Sequence, residues 1–152
     1  MLGEIRDGET AQMAIRAALT GHLVLSTIHT NSAWGTVSRL VDMGVPSYLL
    51  ASTINTTVAQ RLVRLLCPHC KKEESFDSKY FPIGYNAPKN LSTHHVAVGC
   101  DECYYTGYKG RTAVYEVIPL DYDLAERVKN NSFDVEQLLK AVSYTHLTLP
   151  TT

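Results

Sequence analysis

The chain has 152 residues, of which 45% are hydrophobic and 19% charged, and its formal net charge is −1. That balance describes a globular chain with room for one domain, or one domain plus a small metal-stapled lobe, and it lacks the basic excess that would make nucleic acid the main ligand. No apolar run approaches the ~20 residues of a membrane helix, and no basic stretch with an apolar core behind it marks the N-terminus for export.

The polar run Gly3-Glu4-Ile5-Arg6-Asp7-Gly8-Glu9-Thr10 falls where a strand would hand over to a helix, the edge at which α/β sheets bind ligands. A carboxylate there, Glu4, can orient a water or complete a Mg²⁺ shell beside a phosphate. The same residues also suit a solvated turn with a capping box. Ala11, Ala14, Ile15, Ala18 and Leu19 then form one helical face, stopped by Gly21.

His22 to Ile28 reads as a short apolar strand of the kind buried on both sides in a parallel sheet. His29 closes it at the same sheet edge, where an imidazole can hydrogen-bond a γ-phosphate or merely cap the next helix. Thr30-Asn31-Ser32 is N-cap chemistry for a helix through Trp34, Val37, Leu40 and Val41 that ends before Gly44. Pro46 opens a further helical stretch through Leu49, Leu50, Ile54 and Val58 to Leu62 and Leu66. Lys71 to Leu91 has no usable period and is expected to be a loop. Arg111 to Ile118 reads as a strand, and Asp121–Asn130 and Asp134–Val142 as helices. The order of elements is that of the second half of an α/β sheet domain.

The four cysteines stand as two C-x₂-C pairs, Cys67-Pro68-His69-Cys70 and Cys100-Asp101-Glu102-Cys103. Two residues between cysteines let both thiolates of a turn face one ion, and two such turns make a closed tetrahedral S₄ shell that suits structural zinc. Disulfides, a redox pair and separate thiols are the alternatives, and His69, His94 and His95 are competing ligands. Cys-Pro-His-Cys also occurs in oxidising thioredoxin-like enzymes, which place the first cysteine at a helix N-terminus. Here Cys67 is expected to follow a helix, so the dipole points the wrong way. Arg61, Arg64, Lys71, Lys72 and Lys109 near the cysteines also suit a zinc-ribbon binding module, although a Zn(Cys)₄ centre of formal charge −2 attracts cations without any partner. Paired thiols at metal spacing favour a reducing cytoplasm.

Together these motifs resemble the C-terminal region of the secretion ATPases of type II secretion and type IV pilus assembly. Gly3-Glu4-Ile5-Arg6-Asp7 matches that family's Walker B segment, and Gly21-His22-Leu23-Val24-Leu25-Ser26-Thr27-Ile28-His29-Thr30-Asn31 its His box. Ala59-Gln60-Arg61-Leu62-Val63-Arg64 with Cys67-Pro68-His69-Cys70 matches the entry to its tetracysteine lobe, and Tyr105 to Glu116 the segment after it. The resemblance covers roughly residues 3 to 142.

It implies an α/β fold, the C-terminal part of a RecA-like P-loop NTPase domain with an inserted tetracysteine zinc lobe and a small helical C-terminal portion. The implied division is 1–66 for the ATPase core, 67–110 for the zinc lobe, 111–142 for the strand and C-terminal helices, and 143–152 for a threonine-rich tail that reads as non-native. The implied activity is ATP hydrolysis with Mg²⁺ by a cytoplasmic homo-hexamer that engages inner-membrane platform and assembly proteins. Glu4 and His29 would be catalytic. Arg6, Asp7, His22, Thr27 and Arg61 would serve the nucleotide, and Cys67, Cys70, Cys100 and Cys103 would hold Zn²⁺. The P-loop pattern G-x-x-x-x-G-K-[ST] occurs nowhere in these residues. The chain therefore reads as a fragment that does not hydrolyse ATP by itself.

Overall fold

The structure, a computed structural model, describes residues 1–77 and 92–130. The helix expected over 134–142, the tail 143–152 and residues 78–91 of the expected loop lie outside the described residues. Among the described residues two compact units are present, 1–61 with 114–130, and 62–77 with 92–113.

In the first unit, the extended run Leu2–Ile5 lies parallel to Leu25–Thr27. Leu2 N–H donates to the Leu25 carbonyl (2.9 Å), Thr27 N–H to Gly3 (3.1 Å) and Ile5 N–H to Thr27 (2.8 Å). Parallel neighbours need a crossover, and helix α1, Gly8–Leu19, supplies it. Asp7 caps α1 by accepting from Thr10 N–H at 2.8 Å. Ala11, Ala14 and Ile15 of the expected face are buried, whereas Leu19 in the last turn is exposed. The first helical residue has to be glycine for reasons of space, because a Cβ on Gly8 would sit 2.5 Å from the Met43 carbonyl oxygen.

Helix α2, Ala33–Asp42, is capped by Ser32, whose hydroxyl accepts from Gly35 N–H at 3.0 Å. Helix α3, Ser47–Thr53, starts after Pro46. Here the chain departs from its expected course. Instead of continuing as helix to Leu66, it turns at Ile54 into strand β1, Thr56–Leu66. The apolar residues at 58, 62 and 66 repeat every four positions and imitate a helix. The run Thr56-Thr57-Val58, all β-branched, is stiff at χ1 and favours a strand. Strand β1 is the hydrogen-bonded neighbour of a strand, Tyr108–Pro119, that becomes β4 once the hairpin of the second unit is counted. Helix α4, Tyr122–Lys129, follows with Asp121 as its cap.

The core of this unit gathers Ile5, Ala11, Ala14, Ile15, Val37, Leu40, Val45, Leu50 and Val128, and α3 packs against both α1 and α4. A second cluster joins Ala33, Ile118 and Leu124, flanked by Trp34 and Ala59. The segment 22–28 is not buried on both sides as its composition suggests: Leu23 is 78% and Leu25 57% exposed. It pairs along one edge only among the described residues, so one side of it opens onto a groove of about 1000 Å³ lined by Ile5, Ile15, Thr57 and Tyr115.

The second unit holds residues 62–66 of β1, residues 108–113 of β4, and a hairpin in place of part of the expected loop. Strand β2, Lys72–Ser75, runs antiparallel to β3, Thr93–Val96, with Glu73 opposite His95 and Glu74 opposite His94. Neither strand has an apolar face, so alternation could not reveal them. No helix among the described residues is long and apolar enough to cross a membrane.

Leu50 is fully buried where α3 meets its neighbours. Leu50→Ala is expected to lower unfolding stability by about 2–5 kcal/mol, while Leu23→Ala is expected to stay within about 0.5 kcal/mol. Urea titration of both variants checks the contrast.

Candidate functional site

The parallel pairing of Glu4 with Thr27 puts the end of each segment at one edge. Glu4 Oε1 lies 2.9 Å from His29 Nε2, and Glu4 Oε2 lies 2.6 Å from Arg6 Nη2 and accepts from Arg6 Nε at 2.7 Å. With Arg39 and Met43 these residues line a hollow of about 210 Å³. Arg39 was not expected there. Its only sequence signal is a cation in the last turn of a helix, which is common for dipole reasons alone.

The Arg6 hydrogen bond holds the Glu4 carboxyl below its ordinary range. Desolvation opposes that, and the charges of Arg6 and His29 add to it. A carboxylate so held stays ionised at the hollow, where it can orient a water or ligate a metal, and Arg6 supplies a positive charge beside it.

Of the other residues expected to serve the nucleotide, Asp7 caps α1. Thr27 donates its hydroxyl to the Gly3 carbonyl at 3.2 Å, stitching the two segments together. His22 stands seven residues before His29 along an extended segment, about 20 Å away at ~3.3 Å per residue, where its Nδ1 lies 3.0 Å from the Thr20 hydroxyl. The two rings therefore belong to opposite ends of the segment. The Arg61 guanidinium donates to the Asn31 carbonyl.

In the second unit the four cysteines converge. Their sulfurs all lie within 4.8 Å of one another, with Cys67–Cys100 at 3.9 Å, Cys70–Cys103 at 3.8 Å and Cys100–Cys103 at 3.8 Å. A regular tetrahedron with arms of ~2.3 Å has edges of about 3.8 Å, so the set fits a zinc-sized ion in an S₄ shell. These spacings are far too long for disulfide bonds.

Each pair forms its own turn. Lys71 N–H returns to the Cys67 carbonyl at 3.0 Å, and Tyr105 N–H to the Cys100 carbonyl at 2.9 Å. Backbone amides then point at the sulfurs: Gly99 to Cys70 (3.3 Å), Cys100 to Cys103 (3.2 Å) and Gly107 to Cys103 (3.2 Å). Gly107 also accepts from Cys67 N–H at 2.9 Å, which ties the two turns together. It does so at φ +75° with no room for a Cβ, which would lie 2.7 Å from Ala97.

Desolvation and the Cys70 and Cys103 thiols push the Cys100 thiol up to about 12. Desolvation acts on Cys103 too, but the amides of Cys100 and Gly107 and the Cys70 and Cys100 thiols outweigh it and bring Cys103 to about 6. Aimed amides favour thiolate at Cys103 and desolvation opposes it at Cys100, and binding an ion as thiolates would release protons.

Cys67 ends a strand and not a helix, so the dipole argument against a redox pair lapses. The convergence of all four sulfurs gives the second pair a part that a two-cysteine redox motif leaves without use. Two of the nearby cations have local partners: Arg64 lies over the Tyr108 ring at 4.0 Å, and Lys109 pairs with Glu102 at 2.9 Å.

The family model described as "Type II/IV secretion system protein" matches residues 1–149. Type II secretion system protein E of Pseudomonas aeruginosa is 48% identical over 136 residues, 90% of this chain and 27% of that protein. The type IV pilus assembly ATPase PilB of Myxococcus xanthus is 47% identical over 145 residues, 93% of this chain and 26% of its own length. The chain thus spans about a quarter of the curated relatives it matches. Among solved structures, the pilus retraction motor PilT with bound ADP superposes with a TM-score of 0.59 at 25% identity, covering 95% of this chain and 32% of that one. The ATPase DotB of Yersinia pseudotuberculosis, at 21% identity and TM-score 0.57, covers 95% of this chain and 29% of its own and shares the fold.

Two outcomes follow from this geometry. Metal analysis of the purified chain is expected to give about one zinc per chain, lost in Cys103→Ser and kept in His69→Ala. Arg6→Ala is expected to move the Glu4 carboxyl midpoint upward toward the ordinary glutamate value. Because the folded value is depressed, the stability from this pairing is present above the ordinary glutamate value and lost as pH falls through the folded value. Carboxyl NMR titration reads both.

Proposed function

The chain belongs to the type II/IV secretion system protein family, and from that premise we propose that it forms the Walker B, His-box and zinc-lobe portion of a motor that hydrolyses ATP to drive secretion or pilus assembly. The observation that carries this reading is the Glu4 carboxylate held between Arg6 and His29 at the edge of two parallel segments. Glu4 positions the attacking water and takes up its proton, while His29, beside it, reaches toward the γ-phosphate. Arg6 keeps Glu4 ionised and aimed. Mg²⁺, which prefers oxygen donors such as this carboxylate, would neutralise charge on the phosphates when bound.

The chain's relatives are named as a secretion protein and a pilus ATPase, which supports a motor portion in either machine. Phosphoryl transfer also requires a phosphate cradle of backbone N–H groups and a lysine. We assign that cradle to parts of the motor beyond these residues, so that this stretch alone releases no phosphate. We further assign the motor to a cytoplasmic homo-hexamer held at the inner membrane by platform and assembly proteins. Cys67, Cys70, Cys100 and Cys103 are assigned a structural Zn²⁺, to which these four donors, with no position left open, are suited.

The test uses a full-length relative carrying residues 3–130 of this chain. Glu4→Gln is expected to lower kcat by about 10²–10⁴-fold and to leave ATP affinity within about twofold, since a water-positioning group acts on the transition state and little on the ground state. Equal loss of binding and turnover would make Glu4 a structural residue.

A further inference from the structure

We propose that Arg61 and Glu116 are positioning residues that clamp the backbone from Asn31 to Ala33 and thereby set where His29 stands opposite Glu4. The inference rests on reading Glu4 and His29 as the catalytic pair, and it gives Arg61 a part other than nucleotide contact.

The His29 side chain is 94% exposed. Apart from its 2.9 Å approach to Glu4 Oε1, so exposed a ring takes its position from its backbone. That backbone leaves the parallel pairing at Thr27 and does not enter α2 until Ala33. Local bonds shape the link, with the Thr30 hydroxyl reaching the Ser32 carbonyl at 3.1 Å and the Thr36 hydroxyl at 3.2 Å. They do not anchor it to the sheet.

The anchors come from the two neighbouring strands. From β1, Arg61 Nη2 donates to the Asn31 carbonyl. From β4, Glu116 Oε2 accepts from Ala33 N–H at 2.7 Å. A donor grips a carbonyl and an acceptor grips an amide two residues further on, so rotating the link in either direction breaks one of them.

The Glu116 contact also answers a local need. The first N–H groups of a helix have no partner within it, and the Ser32 cap serves Gly35 rather than Ala33. Ala33 is fully buried beside Ile118 and Leu124, where an unpaired N–H is costly. A carboxylate at that point satisfies the amide, complements the helix dipole and ties α2 to β4 through residues far apart in the chain.

The test has two arms. In this chain with uniform ¹⁵N labelling, Arg61→Ala and Glu116→Ala are expected to shift the His29 ring resonances and to speed Ala33 amide exchange by more than about tenfold. Glu116→Gln, which keeps an acceptor oxygen, is expected to restore both. If Glu116→Ala fails to fold, Arg61→Ala, at an exposed site, decides alone. Unmoved His29 resonances there would overturn the clamp.

In the full-length relative carrying residues 3–130, Arg61→Ala is expected to lower kcat about 10- to 100-fold, as a small misplacement of a reacting group does, with KM for ATP unchanged. A raised KM at constant kcat would make Arg61 a nucleotide contact and overturn its place in the clamp. His29 resonances that move while kcat holds would leave the clamp standing and remove His29 from catalysis.

Discussion

Three backbone hydrogen bonds join Leu2–Ile5 to Leu25–Thr27, and the candidate site depends on their register. A parallel pair aligns residues at a fixed offset, so bridging Glu4 to Thr27 brings His29, two residues on, within reach of the Glu4 carboxylate. A slip of one residue would turn Glu4 to the opposite face. The register is held from several directions: Thr27 ties its hydroxyl to Gly3, Ile5 is sunk in the core, and α1 fits against the Met43 carbonyl only because residue 8 lacks a Cβ. Chemistry at one edge thus rests on packing distributed over the whole first unit.

Much of this was legible in the sequence because the relevant signals are local. Asp7 and Ser32 announce their helices through cap chemistry, and Ala11, Ala14 and Ile15 announce a buried face. The cysteine spacings state their geometry outright. What escaped was set by context. Residues 56–66 place apolar side chains at intervals compatible with helix or strand, and only pairing with residues 108–119 decides between them. Lys72–Ser75 owes its extended form to hydrogen bonds with Thr93–Val96, to which a polar tetrapeptide gives no clue. The exposure of Leu23 and Leu25 is likewise a property of what lies beside them.

At the site, the sequence identified residue types better than their partners. Glu4, His29 and Arg6 come together as their positions at a strand end imply. His22, a histidine in the same motif, lies at the far end of the segment because an extended chain advances too quickly for residues seven apart to meet. Arg61 and Glu116 show the opposite limit: the chain separates each from its partner by dozens of residues, so no local pattern could pair them. The two units also differ in what organises them. The first is ordered by an apolar core, whereas the second buries little beyond Cys67 and Cys103 among its described residues and relies on amides and sulfurs aimed at one point.

The course of β1 and β4 has a consequence for how such a chain can change over generations. Residues 56–61 and 114–119 belong to the first unit, so the chain leaves it and returns to it on neighbouring strands. Everything between is then a loop whose ends the first unit has already joined. The entropic cost of lengthening a closed loop grows only logarithmically, and the residues that set the Glu4–Thr27 register all lie outside it. The cysteine-bearing segment is therefore open to insertion, shortening or replacement as a cassette, while the edge that carries Glu4 and His29 is bound to its present spacing.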